Sequence, residues 1–303
     1  MNNERTLRIQ SELKDLYKNS LEDNKIYIDI DDDNISILKI LLIGSKDTPY
    51  ENGFFLFTLR FPDEYPWKPP IVWFYTTNNK TRMNPNLYVN GKVCLSIINT
   101  WGSSCNWTPS MTVRSILISI QSMVLNEKPL YNEPGIKFSD KSIKDYNTIL
   151  NYFVFLVAIN GVLKNSINRY IENNSKLGLV HFDGFKEIIN KYFIDNIDWY
   201  LDRCNSLKYE FEEKILFCPT PLERYKFVCN YKYILKSLIE FYELQTKISL
   251  KDKYFNINEE LLKELKSLKV AELKLKCKEH KIKGYSNKRK KDIINLILDN
   301  LKK

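Results

Sequence analysis

Residues 84–95 read Asn-Pro-Asn-Leu-Tyr-Val-Asn-Gly-Lys-Val-Cys-Leu, and this stretch places Cys94 just after an Asn-Gly turn and eight residues after Asn86. A thiol can carry an acyl group as a thioester, and a positioned amide N–H stabilises the oxyanion that forms when the thioester is attacked. The layout therefore indicates an acyl-transfer site. On its own, a cysteine beside a turn is more often a buried packing residue, so the flanking segments decide between the two interpretations.

A strand rich in aromatic residues and a proline-rich bend precede this stretch. Residues 54–61 read Phe-Phe-Leu-Phe-Thr-Leu-Arg-Phe, which predicts a strand. Residues 61–70 contain four prolines, and each restricts the residue before it, so they predict a rigid connection to a strand at 71–75. Downstream, residues 107–110 read Trp-Thr-Pro-Ser, and the apolar spacing of 113–125 predicts a buried helix.

Taken in order, these segments resemble the ubiquitin-conjugating enzyme family. Its His-Pro-Asn triplet is Asn-Pro-Asn at 84–86 here, its Tyr-Pro-x-x-Pro-Pro signature matches residues 65–70, and its Trp-Ser-Pro-Ala loop matches residues 107–110. The resemblance implies an α+β domain with the ubiquitin-conjugating (UBC) fold: an N-terminal helix, an antiparallel meander sheet, an active-site loop and C-terminal helices. Residues 94–97 and 131–135 are similar to the large Z-type class of that family.

The resemblance also implies roles for individual residues. Cys94 would carry ubiquitin or a ubiquitin-like modifier, and Asn86 would support the oxyanion. The family usually has Asp where this chain has Ser96, so Glu133 is the expected carboxylate beside the incoming lysine, with Ser96 shaping the entrance. Partners would be the modifier, an activating enzyme and a ubiquitin ligase, and we predict a partner-binding set of Arg8, Trp67, Pro109 and Ser110.

Length and composition agree with an intracellular enzyme without a cofactor. Of the six cysteines, none forms a Cys-x-x-Cys pair, so neither a metal site nor a disulfide framework is indicated. The only histidines, His181 and His280, lie far downstream of Cys94, which weakens a Cys–His protease interpretation. No apolar segment is long enough to span a bilayer, so we expect a soluble protein of the cytoplasm or nucleus. Cys105, Cys204, Cys218 and Cys229 are expected to be packing residues.

We predict three parts: a UBC catalytic domain at 1–165, a helical extension at 166–256 and a small module at 257–303. Within the extension an apolar stripe at helical spacing predicts a layer packed on the catalytic domain, or alternatively a surface that selects an activating enzyme or modifier. The stripe comprises Phe185, Ile188, Ile189, Tyr192, Phe193 and Ile197.

The C-terminal module is basic and resembles a SAP motif, a helix–loop–helix that binds DNA. Residues 258–303 hold fourteen Lys/Arg and seven Asp/Glu and thus carry +7 of the net charge of +9. Two apolar faces would pair across a turn at Gly284: Val270, Leu273 and Cys277 against Ile293, Ile294, Ile297 and Leu298. Phosphate contacts are predicted from Lys283, Lys288, Arg289, Lys290 and Lys291. A solvated helical tail and a localisation signal at 288–291 remain open alternatives.

The sequence therefore predicts a ubiquitin-conjugating enzyme that carries the modifier as a thioester and transfers it to a lysine or to a ligase cysteine, near duplex DNA. Two alternatives remain: an inactive relative that only presents ubiquitin, and a DNA-tethering scaffold whose conjugation activity is vestigial. Loading at Cys94 discriminates among all three.

Overall fold

The computed structural model describes residues 3–30, 34–78, 80–100, 106–133, 135, 137–164, 180–217, 226–250, 263–280 and 282–300. They form two compact units. The first comprises Met1–Asn196 and Phe211–Ile234, and the second comprises Ile197–Glu210 and Leu235–Lys303. Both units thus draw on the segment 166–256 that we predicted as one helical extension.

The first unit is built around a four-stranded antiparallel sheet in sequential order, as the meander prediction requires. Its strands are β1 Ile26–Ile30, β2 Ile37–Ile43, β3 Phe54–Arg60 and β4 Ile71–Phe74. Strand β3 is buried along its first six residues, on both faces. A sheet covered on both sides reads as a continuous apolar run rather than an alternating one, which explains the aromatic sequence of β3.

Four helices of the first unit surround this sheet. They are α1 Asn3–Lys18, α2 Val113–Ser119, α3 Asp140–Phe153 and α4 Lys186–Asp195, and π-helical segments extend α2 through Ile120–Val124 and α3 through Val154–Gly161. Helix α2 begins at a capping box, in which the Thr112 hydroxyl accepts from the Ser115 N–H and the Ser115 hydroxyl accepts from the Thr112 N–H. These side chains satisfy donors that a helix start leaves without partners.

Helix α4 packs against the turn at Asn52 and the start of β3. Phe185, Ile189 and Phe193 of the predicted stripe are buried. The Tyr192 hydroxyl donates to Asn52 Oδ1 at 2.8 Å, and its ring meets Phe54 edge-on at a centroid distance of 6.1 Å. The packing-layer interpretation is therefore supported for this helix.

A short two-stranded sheet was not predicted. Strands β5 Ile215–Phe217 and β6 Lys226–Val228 pair antiparallel, and the Phe227 ring stacks on Tyr152 at 5.3 Å. Three-residue strands are too short to show periodicity, so the sequence carried no signal for them.

The second unit is helical. It contains α5 Ile197–Phe211, most of α6 Tyr231–Thr246, a helical stretch at 263–267, α7 Val270–Glu279 and α8 Lys290–Asn300. Its C-terminal helices share a buried cluster of Leu265, Leu273, Cys277, Ile282, Ile293, Ile294 and Ile297.

The predicted pairing of apolar faces in this module is confirmed with one exception. Val270 is 39% exposed and lies outside the cluster, because it begins α7 rather than facing α8. The Leu298 side chain lies outside the described residues, as do Cys105 and Cys218. Gly284 adopts a positive φ of 80° between the two helices, as a turn that favours glycine requires.

Within the described part of the chain, no helix has the length and hydrophobicity to cross a membrane.

Candidate active site

Cys94 lies at the end of a tight turn that is fastened to strand β4. Gly91 has a positive φ of 87°, and its carbonyl accepts from the Phe74 N–H at 2.8 Å. A Cβ at position 91 would lie 2.7 Å from the Phe74 carbonyl oxygen, so the approach of the turn to the strand requires glycine. The Asn-Gly signal in the sequence thus reflects both the turn and its attachment.

Asn86 and Cys94 are held together by two hydrogen bonds. The Cys94 N–H donates to the Asn86 carbonyl at 2.8 Å, and Asn86 Nδ2 donates to the Cys94 carbonyl at 2.7 Å. The Asn86 side chain is buried, and its Oδ1 has no hydrogen-bond partner among the described residues. The structure therefore brings these two predicted residues into direct contact.

Asn84, which replaces the family's histidine, fixes the loop that contains Asn86. It is fully buried, and its Oδ1 accepts from the Asn86 N–H at 2.7 Å. Its Nδ2 donates to the Val124 carbonyl at 2.7 Å and to the Tyr50 hydroxyl at 2.9 Å. One amide thus ties the loop both to itself and to two neighbouring elements.

Thr100 contacts Cys94 from the other side, and sequence reasoning did not single it out. The Cys94 thiol donates to the Thr100 carbonyl at 2.9 Å. The Thr100 hydroxyl accepts from the Leu95 N–H at 2.8 Å and lies 2.9 Å from the Val93 carbonyl. No periodic or motif signal marks a single threonine in a loop, so only the structure identifies it.

The Cys94 thiol is in an environment that favours its protonated form. Desolvation raises its pKa, and the charge of Glu133 acts in the same direction, whereas Lys92 and Arg82 act to lower it. A thiol with a raised pKa is mostly protonated at neutral pH and is therefore a weak nucleophile. Such a thiol can exchange with an activated thioester more readily than it can attack an unactivated amide.

Cys94 is also the accessible cysteine of the described chain. Cys204, Cys229 and Cys277 are buried, as predicted for Cys204 and Cys229, whereas Cys94 is partly exposed. Ser96 lies two residues after Cys94 and is exposed at the start of a single 3₁₀ turn. Glu133 is half-buried and close enough for its charge to act on the thiol.

Two loops of the predicted partner-binding set are joined to each other. The Trp107 side chain is buried, and its indole N–H donates to the Pro66 carbonyl at 2.7 Å. Trp67 follows Pro66 directly and is 66% exposed, so its side chain is not part of the core. Ser110 is exposed as well, and its hydroxyl lies 2.9 Å from that of Thr108.

Arg8 serves as an internal connection between α1 and the Trp107 loop. Its guanidinium donates to the carbonyls of Pro109 and Met111, each at 2.7 Å, and pairs with Glu12 at 2.7 Å. Glu12 is buried and also accepts from the Tyr65 hydroxyl at 2.7 Å. A carboxylate in a polar stretch of sequence gives no signal for burial, because the partners of Glu12 come from distant segments.

The predicted nucleic-acid set lies at the loop between α7 and α8 and at the start of α8. Lys290 donates to the Lys266 carbonyl at 2.7 Å, and Lys291 pairs with Glu210 at 2.5 Å. Those two cations therefore have intramolecular contacts within the second unit. Lys283, Lys288 and Arg289 are exposed and lie outside these contacts.

Comparison with known proteins gives two matching family models. The model described as "Ubiquitin-conjugating enzyme" matches residues 8–152, and the model described as "Rho termination factor, N-terminal domain" matches residues 264–303. The second match covers the module in which we predicted a SAP motif, and the SAP resemblance itself stays a prediction.

Similar curated proteins include ubiquitin-conjugating enzyme E2 Z from two vertebrates. The Xenopus tropicalis protein is 36% identical over 205 residues, which cover 67% of this chain and 60% of that protein. The human protein is 41% identical over 156 residues, which cover 50% of this chain and 43% of that protein. The chain thus spans less than two thirds of the length of either relative. Among solved structures, a ubiquitin-conjugating enzyme E2 of Plasmodium falciparum is 34% identical, with 39% of this chain and 95% of that chain covered and a TM-score of 0.32.

Proposed function

Because the chain belongs to the ubiquitin-conjugating enzyme family through residues 8–152, we propose that it accepts ubiquitin or a ubiquitin-like modifier as a thioester on Cys94. The modifier's C-terminal carbonyl carbon leaves the cysteine sulfur of an activating enzyme and bonds to Cys94 Sγ. The Cys94 proton goes to the departing thiol. The modifier then passes to a substrate lysine or to a ligase cysteine, and Cys94 regains a proton.

The observation that carries this proposal is the way in which the chain presents Cys94. The thiol is partly exposed, while its backbone N–H and carbonyl are both bonded to Asn86. A cysteine that only fills space in the core would have a buried thiol. It would not need hydrogen bonds that fix its own N–H and carbonyl. A raised thiol pKa fits as well, since thioester exchange is nearly balanced in free energy and needs no dedicated base.

We propose that Asn86 supports the oxyanion during transfer to an amine, and that Glu133 acts on the incoming lysine. A free lysine near pKa 10.4 is protonated at neutral pH, so the site must help it lose a proton. Glu133 is a carboxylate whose charge reaches the Cys94 thiol, and Ser96 is exposed two residues after Cys94 and has no charge. These positions support the division of roles.

Loading is tested with a panel of activating enzymes and modifiers, read on non-reducing and reducing gels. A reductant-sensitive adduct is expected for the unmodified chain and for Cys277→Ala, which removes a buried thiol in the other unit. Cys94→Ala is expected to give none, and Cys94→Ser to give a more stable ester. An adduct that persists at full yield in Cys94→Ala contradicts the proposal, and a chain that loads with nothing in the panel favours the inactive, ubiquitin-presenting alternative.

We further propose that Trp67 and Ser110 form a docking patch for ligases. Trp67 is exposed, and the bond between Trp107 and the Pro66 carbonyl fixes its loop to the one that holds Ser110. Tryptophan is among the residues that dominate interface energies. Pro109 and Arg8 would support this patch from within, since the Arg8 guanidinium holds the Pro109 carbonyl.

We propose that the C-terminal module tethers the enzyme to duplex DNA. The support is the exposure of Lys283, Lys288 and Arg289 around one loop, together with the +7 charge of residues 258–303. Three cations that each neutralise one phosphate give a log–log salt slope of about −2.7. Lys290 and Lys291 would add to it only after leaving their intramolecular contacts.

The DNA proposal is tested by titrating duplex DNA at several salt concentrations against the full chain and a variant with Lys283, Lys288 and Arg289 changed to Glu. A control reverses three exposed lysines elsewhere, Lys18, Lys128 and Lys186, and so has the same net charge. Loss of binding in the first variant and not in the control is the expected result. If both variants bind alike, or the full chain does not bind at low salt, the module is not a DNA tether.

A further inference from the structure

The chain returns to its nucleophile six residues after Cys94, at Thr100. The Thr100 carbonyl accepts from the Cys94 thiol at 2.9 Å, and the Thr100 N–H donates to the Leu95 carbonyl at 3.1 Å. Its hydroxyl accepts from the Leu95 N–H at 2.8 Å and donates to the Val93 carbonyl at 2.9 Å. Thr100 thus contacts the thiol and both residues that flank it.

We propose that Thr100 is a positioning residue for the Cys94 thiol: its hydroxyl fixes the backbone on both sides of Cys94, and its carbonyl holds the thiol in its uncharged state until acylation. This inference rests on the proposed role of Cys94 as the thioester carrier. It adds a residue that acts through Cys94 and not on the substrate.

The hydroxyl is suited to this task because a threonine side chain can accept and donate at once. Asn86 holds the N–H and carbonyl of Cys94 itself, and Thr100 holds the N–H of the following residue and the carbonyl of the preceding one. Four consecutive backbone groups around the sulfur are therefore bonded. A nucleophile whose backbone is fixed in this way presents its sulfur in one orientation, which favours transfer.

The carbonyl has a separate effect on the protonation of the thiol. A hydrogen bond that needs the S–H proton stabilises the thiol over the thiolate, because the thiolate would face the negative end of the carbonyl dipole. The same bond is lost when sulfur carries an acyl group, since the proton has then left. Thr100 therefore favours the resting thiol, and this effect adds to the burial that raises the pKa of Cys94.

The alternative is that Thr100 merely fastens its own loop, and two substitutions distinguish these roles. Thr100→Val keeps the size and β-branching of the side chain but removes the hydroxyl, and Thr100→Ser keeps the hydroxyl but removes the methyl. Thr108→Val is the matched control, because Thr108 is an exposed threonine nearby whose hydroxyl contacts only Ser110 among the described residues.

The measurement is the rate of Cys94 alkylation by iodoacetamide as a function of pH, followed by mass spectrometry of the peptide that contains Cys94. Thr100→Val keeps the carbonyl but removes the hydroxyl contacts to Leu95 and Val93 that fix it beside the thiol. We expect the carbonyl then to release the S–H. Loss of that hydrogen bond to the protonated form lowers the midpoint by about half to one pH unit, so that Thr100→Val reacts about 3- to 10-fold faster than the parent chain at pH 7.5. Thr100→Ser and Thr108→Val are expected to keep the parent profile. Circular dichroism and thermal melting of each variant accompany the profiles.

A profile of Thr100→Val that matches the parent chain, with a folded protein, overturns the inference. So does a shift of equal size in Thr100→Ser, because the methyl group and not the hydroxyl would then be responsible. Alkylation needs no modifier and no activating enzyme. Failure of the parent chain to load thus contradicts the proposed function, whereas an unshifted Thr100→Val profile contradicts only the role of Thr100.

Discussion

Substitution of Asn86 by Ala separates a chemical role of this side chain from a structural one. The substitution removes the bond from Nδ2 to the Cys94 carbonyl, 2.7 Å long, which stabilises the fold by about 0.5–1.5 kcal/mol. It also removes Oδ1, which is buried without a partner among the described residues and costs about 1–3 kcal/mol. The two effects oppose each other, so the free energy of unfolding is expected to lie between about 0.5 kcal/mol below and about 2.5 kcal/mol above that of the parent chain.

The expected effect on chemistry is larger. Loss of one oxyanion donor typically costs about 2.7–4 kcal/mol, which is about 100- to 1000-fold in rate. This loss applies to discharge onto a free lysine, where an oxyanion forms at an amine acceptor. Loading, in which one thioester replaces another, is expected to change far less.

The assay is a single-turnover experiment on Asn86→Ala that measures loading and discharge separately, together with its thermal stability. Asn84→Ala is the structural control, because Asn84 is fully buried and its amide makes three hydrogen bonds. It is expected to lose stability and to slow both steps. If Asn86→Ala behaves like this control, or discharges at the parent rate, the oxyanion role is wrong.

Three further predictions concern the same domain. Glu133→Gln is expected to slow discharge onto lysine by about tenfold or more while loading stays the same, and equal slowing of both steps in a single-turnover assay would argue against a role toward the lysine. Trp67→Ala is expected to load normally and to weaken ligase binding by about 2 kcal/mol, roughly 30-fold, in a titration with a ligase domain that binds the unmodified chain. Tyr17→Ala, which removes another exposed aromatic side chain, is the control, and full binding by the Trp67 variant would rule out the patch. Burial raises the pKa of the Cys94 thiol, so a higher pH is needed to form its thiolate than for an ordinary thiol. The rate of Cys94 alkylation is therefore expected to reach half its maximum above about pH 8.5. A rate that is already maximal below pH 8 would show that the charges of Lys92 and Arg82 outweigh burial.

The sequence predicted the sheet and the helices around it, because these depend on local patterns, whereas the roles of Asn86 and Cys94 were implied by the family resemblance. Strand β3 is continuous in aromatic and apolar residues, and the Asn-Gly turn places the cysteine. Residues with long-range partners were not predictable in this way. Glu12 sits among polar neighbours in sequence, yet it is buried by contacts to Tyr65 and to the Val113 N–H, which lie 53 and 101 residues away.

The same distinction applies to Thr100 and to the C-terminal module. Thr100 owes its importance to three backbone groups that only the folded loop brings to its hydroxyl. The module was recognisable because its apolar residues repeat at helical spacing and its turn contains Gly284. Its cations were all predicted alike, whereas the structure separates Lys290 and Lys291, which have internal contacts, from the exposed cations beside them.

The helix that begins at Val113 connects the two surfaces on which the proposed function depends. At its first residue the Val113 N–H donates to buried Glu12 at 3.0 Å, and Glu12 in turn binds Arg8, which holds the Trp107 loop. At the end of its π-helical extension the Val124 carbonyl accepts from Asn84 at 2.7 Å, and Asn84 holds the loop of the nucleophile.

Both contacts satisfy backbone groups that a helix leaves without internal partners at its ends. The negative charge of Glu12 is also favourable at an N-terminus, where the helix dipole is positive. The Trp107 loop and the loop that holds Asn86 are therefore anchored to opposite ends of one helical element. Their separation is set by the length of that element.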